Sequence, residues 1–339
     1  VRGKVDGGKF PIRSASFSIN DGPMLPLYVE QEPDDATDWV HGYKATPAEL
    51  RCRDQGEFCI EFAATDPQLR VGSNALSVTV QDQDWRTETL ACSIEWNPEP
   101  LPVALDLSDL SRFGHIQDVG QTVNGAFDLD RDLNVIRSRA PVAPDALLVI
   151  GSPYGSQEAT YAVRFLEPQG AKWLGCSDFF AGLVEGVPGR GIRVGWCSAG
   201  MAALSPTDGA RSFIAWGDHS GDNREWALAT HPAAPIRIQR NTLYRVRHQI
   251  TLQEGRDRVR WRLWPDGEPE PGDWLCEEEA SRVPAELPRH RAASFALFQH
   301  MGQCIEWSDI VIRPYRPPPG DAPGRGREPF LKRNRPGAF

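Results

Sequence analysis

Long apolar runs are missing from this chain: none approaches the ~18 residues of a membrane span, so no membrane span is expected. Positive charge is in deficit. Lys and Arg total 37 against 46 for Asp and Glu, a formal net charge of −9. A nucleic-acid partner is therefore not expected, because such partners are met with a surplus of basic residues. Lysine itself is scarce, with five among those 37. The basic side chains are thus nearly all guanidiniums, which offer planar, bidentate donors where several converge. Uninterrupted helical stretches are also lacking. The 31 Gly and 29 Pro are spread along the 339 residues, and each weakens or breaks a helix. A helical bundle or solenoid is excluded. No CxxC pair and no Cys/His cluster of zinc-finger spacing occurs among the seven cysteines. There is no Gly-x-Ser-x-Gly elbow, phosphate loop or His-Glu-x-x-His helix. The chain opens on Val1 rather than Met, so its start gives no address.

What remains is a globular composition, 40% hydrophobic and 24% charged, cut into short β runs. Residues 1–12 are polar and read as an arm. Ser14–Ile19 alternates and meets a turn at Asn20-Asp-Gly-Pro23. Glu57–Phe62 and Asn74–Val80 follow, the latter with Leu76, Val78 and Val80 on one face. Asp82-Gln-Asp84 marks a turn into a closing strand, Thr87–Trp96. Asn97–Pro102 is a linker by composition. Strands then recur at 146–150, 160–166, 192–197, 211–216, 225–230, 243–252, 258–264, 294–300 and 304–312. Such a count over about 210 residues suits a two-sheet jelly roll. Residues 316–339 are Pro/Gly-rich and locally basic, a tail left flexible or docked on a protein partner. Cys52 with Cys59, Cys176 with Cys197, and Cys276 with Cys304 are bridge candidates, as an exported protein would allow. Buried thiols are the plainer reading.

The run Gly72-Ser-Asn-Ala-Leu-Ser-Val-Thr-Val-Gln-Asp82 resembles the last hairpin of bacterial immunoglobulin-like modules. In the second half, Tyr244–His248, Trp261–Glu270 and Trp274 resemble concanavalin A-like, or laminin-G-like, β-sandwiches of the 3-keto-disaccharide hydrolase type. Ala296–His300 and Ile305–Ile312 resemble the closing strands of that family. The resemblance implies an all-β chain: an immunoglobulin-like β-sandwich over 13–97, a linker at 98–102, and a concanavalin A-like jelly roll over 103–315. It implies little about chemistry, because the fold serves lectins, hydrolases, lyases and adhesion modules alike.

Candidate sites follow from alternation. With Glu254–Asp257 as the turn, Leu252 faces Val259, Ile250 faces Trp261 and His248 faces Leu263, an apolar side suited to the core. The other side carries Arg245, Arg247, Arg260, Arg262, Gln249 and Trp264. Clustered guanidiniums beside an indole suit an acidic sugar; a solvated outer face is the plainer reading. Trp216 and Trp226 flank a polar loop with His219, a second glycan contact or simply a turn. Gln299 and His300 stand in place of the family's Gln-x-His, where His300 would serve as a base. Glu306 is the other catalytic candidate. Glu306 and Asp309 are three apart, so strict alternation sends them to opposite faces and denies them a glycosidase pairing. No cofactor is expected. A structural calcium ion is left open, although no Asp-rich loop has ligand spacing.

The expected function is carbohydrate recognition outside the cell or at its surface, with a polysaccharide or glycoconjugate, of acidic type, as partner. The alternatives are a glycan-cleaving enzyme, hydrolase or lyase, and a structural or adhesive component of a surface assembly.

Overall fold

Alternating side chains go to opposite faces of a strand, and the N-terminal sheet is built on that rule. The computed structural model describes residues 1–6, 10–31, 39–40, 43–44, 55–60, 66–97, 102–139, 145–167, 174–184, 195–205, 211–218, 226–231, 238–252, 258–279, 292–300, 304–316 and 330–333. In chain order, the first strands are β1 (Arg2–Lys4), β2 (Ser14–Ile19), β3 (Leu25–Pro26), β4 (Trp39–Val40), β5 (Tyr43–Lys44), β6 (Glu57–Cys59), β7 (Gly72–Gln81) and β8 (Thr87–Trp96). One sheet has the order β3-β2-β7-β8. Leu76 and Val78 of β7 are buried with Leu27, Val29, Phe58 and Ile60, and Val80 packs against them. Asn74 sits on the same face, yet is satisfied: its oxygen accepts from Asn20 Nδ2 and the Arg70 N–H, and its amide donates to the Arg70 and Gly72 carbonyls, all at 2.7–2.8 Å. A buried polar side chain needs such partners.

The second part contains β9 (Leu105–Leu107), a short helix α1 (Ile116–Val119), β10 (Gln121–Asn124), β11 (Phe127–Asp130), β12 (Val135–Ser138), β13 (Asp145–Tyr154), β14 (Gln157–Phe165), β15 (Leu174–Val184), β16 (Gly195–Ser205), β17 (Arg211–Asp218), β18 (Trp226–His231), β19 (Leu243–Thr251), β20 (Arg258–Pro265), β21 (Cys276–Glu279), β22 (Ala293–His300), β23 (Ile305–Pro314) and β24 (Phe330–Arg333). They form two eight-stranded sheets. The β16 sheet runs β10-β13-β22-β15-β16-β17-β18-β24; the β19 sheet runs β11-β12-β23-β14-β19-β20-β21, with β9 beside β23. The chain is all-β in its architecture, and the larger part is a sandwich, as the resemblance implies. Leu148, Phe179 and Phe295 from one sheet meet Tyr161, Val246, Trp261 and Trp307 from the other in a single core. Tyr161 and Phe295 pack as tilted rings with centroids 5.5 Å apart. Trp307 Nε1 donates to the Cys176 carbonyl across the sheets at 3.0 Å.

The two sheets differ in pattern. Ala146-Leu-Leu-Val-Ile150 of β13 is apolar throughout because both its faces are buried: Ala146, Leu148 and Ile150 face the core, and Leu147 and Val149 join a second cluster with Met201, Ala296 and Phe298. The β19 sheet alternates, apolar inward and arginine outward. Its outer face is the sandwich face that the arginines line.

Several expectations are corrected. The residue 1–12 arm is in part a strand: β1 pairs with β6, and the Val1 ammonium donates to the Ile60 carbonyl at 2.7 Å. Backbone pairing needs no apolar side chain, and Gly3 leaves room for the Phe58 ring, which a Cβ there would meet at 2.3 Å. The tail contributes β24, paired antiparallel to β18. β15 escaped notice because its alternation is interrupted by three register shifts against β16. The disulfides do not form: Cys59, Cys176, Cys276 and Cys304 are thiols. Cys276 begins β21 and Cys304 immediately precedes β23, strands four places apart in the β19 sheet, ~19 Å at normal strand spacing and beyond the ~7 Å reach of a bridge. Cys197 is opposite Gly182, six residues along β15 from Cys176. Cys52 and the linker residues 98–101 lie outside the described residues.

Candidate functional site

The β19–β20 ladder places Ile250 opposite Val259, His248 opposite Trp261 and Val246 opposite Leu263. That is a slip of two residues from the register a turn at Glu254–Asp257 predicts. An even slip leaves every side chain on its face, so Tyr244, Val246, His248 and Ile250 are buried and Arg245, Arg247, Arg260, Arg262 and Trp264 lie outward together. The slip changes neighbours. Arg247 is directly opposite Arg262, and Arg245 is opposite Trp264.

Two opposed guanidiniums repel, and a carboxylate resolves the conflict. Glu270, from the loop after β20, takes Arg247 Nε at 2.6 Å and Nη2 at 2.9 Å on its two oxygens, and Arg262 Nη2 at 2.5 Å. Burial pushes the Glu270 carboxyl up, but the two guanidiniums outweigh it and hold it below the usual range. The pattern continues along the face. Arg247 also reaches Glu158; Arg245 bridges Asp266 at 2.6 Å and Asp309 at 2.7 Å; Arg258 meets Glu277 at 2.9 Å. Arg260 donates to Gln249 Oε1 at 2.7 Å and Tyr315 Oη at 2.8 Å. The expected cluster exists, but its charge is met by carboxylates of the same face and its loop. Among the described residues, little of the positive charge on this face is left without a nearby carboxylate.

Trp264 lies outward opposite Arg245, as alternation predicts. A second indole joins the face: Trp274, ten residues on in the loop, has its ring centroid 4.4 Å from the Arg260 guanidinium and 4.3 Å from that of Arg262. Loop residues have no period, so register reasoning could not place it.

Glu306 lies on the same outer face and is nearly buried. Arg137 donates to its Oε1 at 2.9 Å through Nε and 2.5 Å through Nη2, and Arg164 to its Oε2 at 3.1 Å. Both oxygens are engaged, a strut between three strands rather than a poised acid. Asp309 was expected on the opposite face. A bulge overturns this: Thr160 pairs with Val311 but Ala162 with Ser308, and Asp309 takes φ +51°. The extra residue resets alternation, so Trp307 and Ile310 both enter the core and Asp309 reaches Arg245 outside.

Gln299 does not join this face: it is fully buried opposite Ala146 in the β16 sheet. His300 pairs with Asp145, Trp216 with Ala227 and Trp226 with Gly217. The side chains of these three, and the whole of His219, are outside the described residues.

Two buried polar groups escaped the sequence reading. Between the sheets, Tyr161 Oη donates to Ser177 Oγ at 2.7 Å, and Ser177 Oγ lies 2.7 Å from His248 Nδ1. The pair has the composition of a nucleophile and base, but all three residues are sealed in the core. Burial lowers the His248 pKa to about 3, so the ring is neutral. On the other face of the β16 sheet, Asp178 is fully buried and accepts from Ser198 Oγ. Burial raises its pKa to about 7 against the hydrogen bonds from Ser198, Phe179 and Gly200. Among the described residues, no group of three or more His, Cys, Asp or Glu could hold a metal ion, and no helix is long and apolar enough to cross a membrane.

No family model and no curated protein matches the chain. Among solved structures, carbohydrate-binding module CBM66 from Bacillus subtilis aligns at 10% identity and TM-score 0.36, covering 57% of this chain and 94% of its own. A legume lectin-like domain from Entamoeba histolytica aligns at 9% and 0.38, covering 59% and 92%. A Lotus tetragonolobus seed lectin aligns at 11% and 0.37, covering 62% and 97%. Scores of this size mark a loose likeness, from which no ligand follows.

Proposed function

We propose that the protein binds carbohydrate, through the outer face of the β19 sheet and the loop 266–275. Trp274, laid against Arg260 and Arg262 beside Glu270, carries this reading. A sugar ring has an apolar C–H face and hydroxyl edges. An indole stacks on the first, and alternating guanidiniums and carboxylates offer donors and acceptors to the second. Because those charges balance, the ligand proposed is neutral and hydroxyl-rich, in place of the acidic glycan. The chain then joins an immunoglobulin-like module to a lectin-like sandwich, and acts outside the cell or at its surface, where such ligands are met.

Titration of the parent and of Trp274→Ala with neutral and uronic-acid hexasaccharides tests this. The variant is expected to bind neutral chains at least tenfold more weakly, with parent binding little changed between 50 and 300 mM salt. Binding confined to uronic acids and steeply weakened by salt would restore the acidic-ligand reading.

A further inference from the structure

The hairpin between β7 and β8 closes around Asp82. The Asp82 N–H donates to the Arg86 carbonyl at 3.0 Å, and the Trp85 N–H to the Asp82 carbonyl at 3.2 Å. The Asp82 carboxylate, nearly buried, accepts from the backbone N–H of Asp84 at 2.8 Å and of Arg86 at 3.0 Å. This is a three-residue loop whose last position is left-handed, a place that glycine normally fills. Here Trp85 fills it, with φ +64°. A bulky aromatic in that conformation is strained, at a cost in free energy. Packing does not return it, since Trp85 is 63% exposed.

The indole is nevertheless fixed. The Arg13 guanidinium lies 3.4 Å from its ring centroid, and Arg13 is itself anchored by its N–H to the Gln81 carbonyl at 2.8 Å. One face of the ring is therefore covered by a cation, and the exposure belongs to the other face and the edges. Around it, Gln83, Asp84 and Arg86 are exposed and polar. A protein hot spot or a membrane wedge would call for neighbouring apolar surface. A single flat ring edged by amide, carboxylate and guanidinium matches a ligand with one apolar face and polar rims.

We infer that Trp85 is a second saccharide platform, on the N-terminal module, stacking one pyranose of a neutral oligosaccharide on its open face with Gln83, Asp84 and Arg86 at the hydroxyls. This rests on the carbohydrate-binding reading and adds a site to it.

Trp85→Gly separates binding from folding, because glycine suits the left-handed position. Parent, Trp85→Gly and Trp274→Ala full-length chains are titrated calorimetrically with cellohexaose, mannohexaose, xylohexaose and chitohexaose, and each is melted. The expected result is a Trp85→Gly chain that melts at or above the parent temperature and binds at least one hexaose tenfold or more weakly. If the parent binds a hexaose and Trp85→Gly binds it equally well, this inference fails while the carbohydrate reading stands. If the parent binds none of the four, both fail. If Trp85→Gly loses binding to phosphatidylcholine vesicles but not to a hexaose, the indole is a membrane wedge and the inference is overturned.

Discussion

The sandwich and the N-terminal sheet treat the same kinds of residue in opposite ways. Trp261 and Trp307 are fully enclosed in the sandwich, while Trp85 stands 63% exposed on a hairpin tip. In the sandwich, Arg247 is met by a carboxylate and Arg262 by a carboxylate and an indole. In the small sheet, β8 is exposed from Thr87 to Ser93, and Leu90 on it is 64% exposed. Size explains the contrast. Two eight-stranded sheets have area enough to seal a core between them, whereas a small module buries a lesser share of its surface. A surface that the fold does not need to close is free to be shaped by binding.

Truncating one tryptophan in each region breaks this comparison most directly. Trp307→Ala removes a fully buried ring and its hydrogen bond to Cys176, and is expected to cost about 3–5 kcal/mol by denaturant titration. Trp85→Ala should stay within about 0.5 kcal/mol of the parent. Similar losses in both would mean that Trp85 is structural.

Buried titrating groups give the next effect, of a few kcal/mol across the acid range. Asp178 is raised to about 7 from 3.8, so between those values the folded chain holds a proton the unfolded chain has lost. Its contribution is full below about pH 4 and is lost as pH rises through 7. His248 is lowered to about 3 from 6.5 and works the other way. Its contribution is present above pH 6.5 and is lost as pH falls toward 3. The two oppose each other between about pH 4 and 6.5. Asp178→Asn should unmask the histidine, so that its melting temperature falls more steeply than the parent's from pH 6.5 to 4.5. Parallel slopes would show that Asp178 is not protonated in the fold.

Within the arginine lattice, depth of burial should grade the response. Glu306→Gln strips the carboxylate shared by Arg137 and Arg164 and is expected to cost about 1–3 kcal/mol. Arg245→Gln, at pairs roughly a third or more exposed, should cost less than about 1 kcal/mol. Equal losses would show a lattice that acts as one unit.

The smallest effect belongs to the tail. Deleting 317–339 removes β24 from β18 and should lower the melting temperature by about 2–4 °C, some 1 kcal/mol for a domain of this size. An unchanged melt would return the tail to the flexible segment its composition suggests.

Alternation by itself determined which residues turn inward, because it is a local property of two neighbouring peptide units. Leu76 and Val78, Val246 and Ile250, and the outward arginines are all legible in the sequence, and they survived a two-residue error in register. The longer strands β7, β8, β14, β19, β20, β22 and β23 were legible for the same reason. Partners at long sequence separation were not. Glu306 meets Arg137 across 169 residues, Glu158 meets Arg247 across 89, and nothing in the spacing of either announces the contact. One bulge at Asp309 moved a carboxylate to the other face, and one loop carried Trp274 onto Arg260 and Arg262. Charge neutralisation, bulges and loop placement depend on which strands become neighbours. Only the tertiary structure decides that, since burying both sheets in one sandwich selects among pairings that local alternation leaves equal.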